Sequence, residues 1–273
     1  MYDAVLLVSF GGPEGPDDVL PFLENVLLGR NVPRARMLEV AEHYHHFGGV
    51  SPINAQNRAL IAALRQELAA YGPNLPIYWG NRNWHPLLPD TLAQMRADGI
   101  QRAIAFFTSA YSSYSGCRQY RENILAAANA IGPGAPQVDK LRVFYNHPGF
   151  IEPMLEQTQT ALAQLSSEQQ ASAAVLFTAH SIPVAMAQNT RYQAQLQETC
   201  RLIAEELRKC TDSHHGKQWR GPWQLVYQSR SGPPTQPWLE PDIGDALRQV
   251  HAEGIPAAVV VPVGFISDHM EVL

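Results

Sequence analysis

Short apolar runs that alternate with longer amphipathic segments constrain the fold of this chain more than any other feature of its sequence. Ala4–Phe10 is a nearly continuous apolar run that ends at Gly11. Such runs are typical of strands buried on both faces of a parallel sheet. Asn54–Tyr71 has the periodicity of an amphipathic helix, with Asn54 as a suitable N-cap. This alternation predicts an α/β protein with parallel sheets covered by helices on both faces.

The strand and helix pattern runs through the chain twice, which predicts two Rossmann-like domains. The last strand of the first round is predicted at Leu141–Phe144, and the second round begins with a helix predicted at Pro148–Gln164. A chain of 273 residues suits one large or two small domains of ~100–200 residues each. We therefore expect an N-terminal domain at residues 1–145 and a C-terminal domain at residues 146–273.

The composition narrows the classes of partner and cofactor. The net charge of -5 gives no general basic field, so we expect no nucleic-acid partner. Cys117, Cys200 and Cys210 are widely spaced and form no CxxC pair. Because iron–sulfur clusters are usually held by four thiolates, we expect no such cluster. We also expect no permanent cofactor.

The apolar N-terminus reads as a first strand, because no basic region precedes it and no cleavage site of small residues follows it. No stretch approaches the ~20 apolar residues of a membrane span. We expect a cytoplasmic protein with no transmembrane segment.

Two residues near strand ends are the strongest candidates for chemistry, because ligands of parallel sheets bind beyond the carboxyl ends of strands. His180 follows the apolar run AAVLFT, and Glu271 follows the strand predicted at Ala257–Val263. An imidazole and a carboxylate can bind ferrous iron transiently and can move protons. The alternatives are a histidine that hydrogen-bonds a loop and a carboxylate that caps a helix with Ser267.

The string FTSAYSSYSGCRQY carries Tyr111, Tyr114 and Tyr120 among serines. Aromatic rings with hydroxyl tips can line a large flat ligand and bind its carboxylates. For Tyr111 or Tyr114 we favour the alternative, a tyrosine anchored in the core.

The string HYHHFGGVSPI contains His43, His45 and His46, which raises the possibility of a metal cluster. His43 and His46 could share a helix end. However, two glycines follow at once and break the helix, which makes the cluster the less favoured interpretation.

Seven strings together resemble the ferrochelatase family, in order and through almost the whole chain. They are LVSFGGPEGPDDVLPFLENV, HFGGVSPINAQ, GNRNWHP, TSAYSSYSGCRQYREN, TAHSIP, SRSGPPTQPWLEPDI and VPVGFISDHMEVL. The last string and TAHSIP are the most specific. The N-terminal strings look most like the bacterial enzymes that metallate coproporphyrin III in Gram-positive organisms.

This resemblance implies two Rossmann-like domains with the porphyrin in the cleft between them. It implies insertion of ferrous iron, as a substrate, into coproporphyrin III or protoporphyrin IX in haem synthesis, with release of two protons. The family's metal-binding and catalytic pair falls on His180 and Glu271. Its porphyrin contacts fall on Phe10, Leu27, His43, Tyr44, Ser51 and Tyr120. We expect a monomer whose partners are the porphyrin and ferrous iron.

The chain departs from the family pattern at several positions. Relatives often have a tyrosine in place of Phe10, and phenylalanine cannot ligate metal. Basic residues common near Leu27 and at His43 are missing, and Arg30 or Arg34 is the candidate to substitute for them. The family pattern also continues beyond Leu273, so we expect a C-terminally truncated sequence. These departures keep open a catalytically impaired porphyrin- or haem-binding homologue, and a cobalt chelatase is a more distant third reading.

Overall fold

A computed structural model describes residues 1–29, 32–209, 218–232 and 235–268. Within these residues the chain forms two compact units. The first contains Met1–Ser109, Cys117–Arg142 and the described residues from Ser267 onward. The second contains Ala110–Gly116 and Val143–Ile266. The domain bounds of 1–145 and 146–273 stay a prediction.

The described part of the first unit has a four-stranded parallel sheet in the order β2-β1-β3-β4. Its strands are β1 (Ala4–Ser9), β2 (Ile77–Asn81), β3 (Arg102–Phe107) and β4 (Gln137–Lys140). All six residues of β1 are buried, because β1 lies between β2 and β3. This central position is why Ala4–Ser9 is apolar throughout, as expected for a strand covered on both faces.

Helices cover the first sheet. They are α1 (Val19–Leu27), α2 (Arg34–His46), α3 (Ile53–Tyr71), α4 (Leu88–Ala97) and α5 (Gln119–Ile131). The side chains of Leu88, Leu92 and Met95 are buried in one cluster with Leu6 and Val8 of β1. Their spacing of four and three residues places them on one face of α4, so this face packs against the sheet.

The described part of the second unit has a three-stranded parallel sheet in the order β6-β5-β7. Its strands are β5 (Ala174–His180), β6 (Trp223–Gln228) and β7 (Ala258–Val261). Its helices are α6 (Pro148–Ala163), α7 (Ser167–Ser172), α8 (Val184–Gln188), α9 (Tyr192–Lys209) and α10 (Ile243–Ala252). Leu196, Cys200 and Ile203 form a fully buried stripe on α9 within the core that also contains Phe177 of β5.

The parallel sheets confirm the predicted α/β class. The strand predicted at Leu141–Phe144 is wrong, because β4 lies at Gln137–Lys140, just before it. β4 is at the edge of its sheet, where a strand needs few apolar residues. Asp139 of this strand instead pairs with Arg102. Phe144, in the more apolar stretch that follows β4, packs against the core of the second unit.

The longest described helix is α3, with 19 residues, and it carries polar residues on one side. Within the described ranges, no helix is both long enough and apolar enough to cross a membrane.

Candidate active site

The carboxyl ends of β1 and β2 position a group of side chains in the first unit. The two strands are parallel, and Ser9 at the end of β1 pairs with Asn81 at the end of β2. Beyond them, the backbone N–H of Arg82 donates to the carbonyl of Ser9 at 2.9 Å. The N–H of Asn83 donates to the carbonyl of Phe10 at 3.0 Å. These bonds fix Phe10 and Arg82 at the same edge of the sheet.

An aromatic cluster lies at this edge, centred on Phe22 of α1. The ring of Phe22 makes edge contacts with Phe10, Tyr44 and Trp84, at centroid distances of 6.2, 5.8 and 6.2 Å respectively. Leu27 packs against the same group. The structure therefore brings together three residues that the sequence proposed as porphyrin contacts, namely Phe10, Leu27 and Tyr44. It adds Phe22 and Trp84, which the sequence analysis missed.

Two other proposed porphyrin contacts lie in different surroundings. Ser51 is buried, and its N–H donates to the carbonyl of Pro13 at 2.8 Å. A Cβ added to Gly12 would come within 2.6 Å of the Ser51 Cβ, so glycine is required for this close approach. His43 lies exposed in the last turn of α2.

Tyr120, the sixth proposed contact, is buried on α5 with its ring 5.3 Å from that of Phe107. The guanidinium carbon of Arg82 lies 5.8 Å from the ring centroid of Tyr120 and 5.7 Å from that of Phe10. Burial raises the pKa of Tyr120 to about 12, and the positive charge of Arg82 acts in the opposite direction. Arg82 thus joins two candidate residues that belong to different elements.

Sequence reasoning did not name Arg82 as a candidate. A signal was available, because Arg82 directly follows β2 in the string GNRNWHP. Polar residues just after a parallel strand lie where ligands bind.

A buried amide network supports the loop that carries Arg82. The Asn81 side chain donates to Asn54 Oδ1 at 3.1 Å and to the His85 carbonyl at 2.9 Å. The Asn54 side chain donates to the carbonyls of Gly12 and His85. The indole N–H of Trp79 completes the network by donating to Asn81 Oδ1 at 2.9 Å. Buried amides with satisfied hydrogen bonds hold a single loop conformation.

His180 is the last residue of β5, the central strand of the second described sheet. The sequence analysis placed it just after the strand, and the pairing of His180 with Gln228 of β6 corrects this. The backbone carbonyl of His180 accepts a 3.0 Å hydrogen bond from the hydroxyl of Tyr192. The next residue, Ser181, is buried and donates through its hydroxyl to the carbonyl of Leu239. His180 therefore stands at a carboxyl strand end with its backbone firmly held.

Tyr111 is anchored in the core of the second unit, as we favoured from the sequence. Its ring is buried, and its hydroxyl donates to the carbonyl of Val263 at 2.9 Å. Burial raises the pKa of this hydroxyl well above its ordinary value. Tyr114 is partly exposed.

Glu271 lies outside the described residues, so its position relative to His180 stays a prediction. The described chain comes within three residues of it at Asp268. The side chain of Gln56 on α3 bonds both the N–H and the carboxylate of Asp268, at 3.1 and 3.2 Å.

Among the residues that the structure describes, no group of three or more His, Cys, Asp and Glu side chains could hold a metal ion. His43, His45 and His46 all lie in the last turn of α2. Cys117 and Cys200 are free thiols, and burial raises the pKa of Cys200 well above the ordinary thiol value. Cys200 therefore stays protonated at neutral pH and behaves as a core residue.

The parallel sheets, with polar and aromatic side chains at their carboxyl ends, define an α/β protein with the ligand-binding edge typical of enzymes of this class. The family model described as Ferrochelatase matches residues 2–273. The chain therefore belongs to the ferrochelatase family and is an enzyme that inserts ferrous iron into a porphyrin in haem synthesis. The resemblance seen in the sequence strings is confirmed.

Curated relatives match the chain over its whole length. A protein of Rhodopirellula baltica named Ferrochelatase is 60% identical over 273 residues, covering 100% of this chain and 74% of the relative. A Streptomyces coelicolor protein named Coproporphyrin III ferrochelatase is 54% identical over 285 residues, with the same coverages. A protein of the same name from Frankia alni is 55% identical over 277 residues, covering 99% of this chain and 69% of the relative.

Among solved structures, the cobalt complex of the sirohydrochlorin chelatase SirB from Bacillus subtilis subspecies spizizenii aligns with a TM-score of 0.45 and 10% identity. The alignment covers 99% of this chain and 91% of that one. A similarity this low supports no inference about the activity of the chain.

Proposed function

We propose that this ferrochelatase inserts ferrous iron into coproporphyrin III in preference to protoporphyrin IX. The proposal rests on the Streptomyces coelicolor and Frankia alni relatives, which are named for coproporphyrin III and are 54% and 55% identical to the chain. Coproporphyrin III carries propionate groups at positions where protoporphyrin IX carries vinyl groups. When protoporphyrin IX is bound instead, the polar groups that bind these carboxylates have no partner. This loss gives a physical basis for preferring coproporphyrin III.

His180 and Glu271 are proposed as the metal-binding and catalytic pair. Entry of ferrous iron into the porphyrin displaces two pyrrole protons, so the reaction needs both an iron ligand and a proton acceptor. Histidine and glutamate serve as both. The position of His180 at the carboxyl end of β5, with its carbonyl bonded to Tyr192, supports this role.

The aromatic cluster is proposed to contact the face of the porphyrin ring. Flat aromatic ligands gain binding energy from stacked and edge contacts with aromatic side chains. Together with residues outside this cluster, the full set of proposed porphyrin contacts is Phe10, Leu27, His43, Tyr44, Ser51 and Tyr120. Phe10 has no donor atom for iron, so in this proposal the metal is held by His180 and Glu271.

We also propose a cytoplasmic monomer with iron as a substrate, no permanent cofactor and no nucleic-acid partner. The net charge of -5 supports the absence of a nucleic-acid partner, and the count of three cysteines supports the absence of an iron–sulfur cluster. Size-exclusion chromatography with light scattering measures the oligomeric state. A visible cluster absorbance with matching acid-labile sulfide would contradict the absence of an iron–sulfur cluster.

Anaerobic iron insertion, followed with coproporphyrin III and protoporphyrin IX, tests the proposal. We expect kcat/KM for coproporphyrin III to be higher by about tenfold or more. His180→Ala and Glu271→Gln should each lower the rate to about one hundredth or less with either porphyrin, because each removes a catalytic group. His251→Ala, an exposed histidine on α10, is the matched control and should keep the wild-type rate.

Equal or reversed preference for the two porphyrins would contradict the proposed substrate. Porphyrin binding by the wild type without insertion of any metal would instead identify a catalytically impaired porphyrin-binding homologue. Faster insertion of cobalt than of iron would favour a cobalt chelatase. Circular dichroism of each variant separates loss of activity from loss of fold.

A further inference from the structure

The six proposed porphyrin contacts contain no permanently charged side chain, although the proposed substrate carries several carboxylates. His43 is the one titratable base among them, and it is exposed on α2. Carboxylates that leave bulk water need a cation or several hydrogen-bond donors to compensate the lost hydration. The porphyrin site therefore needs a cation or further hydrogen-bond donors beyond these six residues, and the sequence by itself offered only Arg30 or Arg34 for this role.

We propose that the guanidinium of Arg82 binds a propionate carboxylate of the porphyrin and so orients the macrocycle against Phe10 and Tyr120. This inference rests on the proposed function, because it takes a propionate-bearing porphyrin as the ligand.

The position of Arg82 carries the inference. Its guanidinium carbon lies 5.7 Å from the ring centroid of Phe10 and 5.8 Å from that of Tyr120. These are two of the six proposed contacts, and they come from different elements of the first unit. A cation within ~6 Å of an aromatic face is attracted by the ring, so both contacts favour this placement of the charge. Arg82 is half-buried, so its neighbours order it while part of its surface stays exposed to solvent.

The chemistry of arginine suits this task. The N–H donors of a guanidinium lie in its plane and match the two oxygens of a carboxylate. Contacts of the flat faces with aromatic rings do not consume in-plane donors. A guanidinium held near aromatic rings can therefore still bind a carboxylate through its N–H donors.

The backbone around Arg82 is held in place before any ligand arrives. Its N–H bonds the carbonyl of Ser9, and the preceding residue, Asn81, is fully buried in the amide network with Asn54. The following residue, Asn83, bonds the carbonyl of Phe10 through both its backbone and its side chain. A charge on a rigid loop loses less conformational entropy on binding.

Titration with iron-free coproporphyrin III and with its tetramethyl ester in the same detergent, followed by tryptophan fluorescence quenching, tests the inference. For Arg82→Gln we expect Kd for coproporphyrin III to rise by about ten- to a hundredfold, because a charge-assisted hydrogen bond is lost. Kd for the ester should change by less than about twofold, because the ester has no carboxylate for Arg82 to bind. For Arg82→Lys we expect a Kd for coproporphyrin III between those of the wild type and Arg82→Gln, since lysine keeps the charge and loses the planar arrangement of donors.

Arg102→Gln is the matched control. Arg102 also lies over an aromatic ring, that of Tyr2 at 4.9 Å, but it is the first residue of β3 and so stands at the amino end of the same sheet. We expect Arg102→Gln to leave both Kd values unchanged.

The outcomes separate this inference from the proposed function. If Arg82→Gln raises Kd for the ester as much as Kd for the free acid, Arg82 supports the fold of the site and the inference is wrong. If Arg82→Gln changes neither Kd while the wild type binds and metallates coproporphyrin III, the inference is wrong and the proposed function stands. If the wild type binds no porphyrin, the proposed function fails first. Thermal melting of each variant shows whether the fold is kept.

Discussion

The side-chain amide of Asn81 donates a 3.1 Å hydrogen bond to the side-chain oxygen of Asn54, and neither side chain is exposed to solvent. Asn81 ends β2 and Asn54 lies in the first turn of α3. The bond therefore ties a strand end to a helix start behind the loop that carries Arg82. Buried amides need hydrogen-bond partners. This pair therefore both fixes the loop that carries Arg82 and stabilises the fold.

Replacing Asn81 by alanine should lower the free energy of unfolding by about 2–4 kcal/mol, because one buried and two partly buried groups lose a partner at once. The groups are Asn54 Oδ1, the His85 carbonyl and the Trp79 indole N–H. Urea denaturation measures the loss. Asn189→Ala is the control, because this exposed amide bonds the carbonyl of Ala185 in the helix just before it and its loss should cost about 0.5 kcal/mol or less. Equal losses in the two variants would contradict a structural role for the network.

Gly264→Ala should destabilise the second unit and slow iron insertion. An added Cβ would lie 2.6 Å from the Cα of Ala179, the residue before His180, so the strand end must shift. We expect a loss of about 1–3 kcal/mol in unfolding free energy, the usual cost of overpacking. Gly15→Ala introduces the same methyl group with nothing within 4 Å and is the control. Wild-type melting and activity in Gly264→Ala would show that the strand end adapts without cost.

Tyr192→Phe tests whether the held backbone of His180 matters for the reaction. The variant removes the hydroxyl that donates to the His180 carbonyl at 3.0 Å and keeps the buried ring. We expect a loss of about 1 kcal/mol in stability, the usual net value of one hydrogen bond. The rate of iron insertion should fall by about two- to tenfold with little change in porphyrin Kd, since only the placement of His180 is disturbed. Tyr114→Phe, at a tyrosine that is partly exposed, provides the comparison.

Stability should depend on Tyr120 in alkaline solution. The pKa of Tyr120 in the folded protein is about 12, whereas a tyrosine in an unfolded chain ionises near 10. Below pH 10 both states are neutral and the contribution of Tyr120 to stability is fully present. Between pH 10 and 12 the unfolded state loses its proton first, so the free energy of unfolding falls.

The comparison with Tyr120→Phe isolates this effect, since burial also raises the pKa values of Tyr111 and Tyr227. Between pH 9 and pH 12 the free energy of unfolding, measured by urea denaturation, should fall by about 1–3 kcal/mol more in the wild type than in Tyr120→Phe. Parallel curves for the two proteins would show that Tyr120 ionises as easily in the folded state as in the unfolded one.

Local patterns predicted much of the fold because their physical cause is local. The apolar run at Ala4–Phe10 needs burial on both faces wherever it occurs, and it forms the central strand β1. The amphipathic stretch Asn54–Tyr71 forms α3 within one residue of its predicted start. Tyr111, with its large apolar ring and one hydroxyl, lies in the core with that hydroxyl bonded, as favoured from the sequence.

Edge strands and long-range contacts could not be predicted in the same way. β4 has the polar sequence QVDK. It is a strand because it pairs with β3 and because Asp139 forms an ion pair with Arg102 of that strand. Apolar content pointed instead to Leu141–Phe144, whose phenylalanine packs elsewhere in the core of the second unit.

The sequence by itself determined the α/β class, the ferrochelatase family and the candidates His180 and Glu271, because these depend on residue type, order and local periodicity. Only the tertiary structure decided that the guanidinium of Arg82 lies near the rings of Phe10 and Tyr120. Those two residues are 110 positions apart in the sequence. Parallel strand pairing brings the ends of β1 and β2 to one edge, and packing of α5 on β3 adds Tyr120 there. Such contacts depend on the register of the sheet, which no local pattern records.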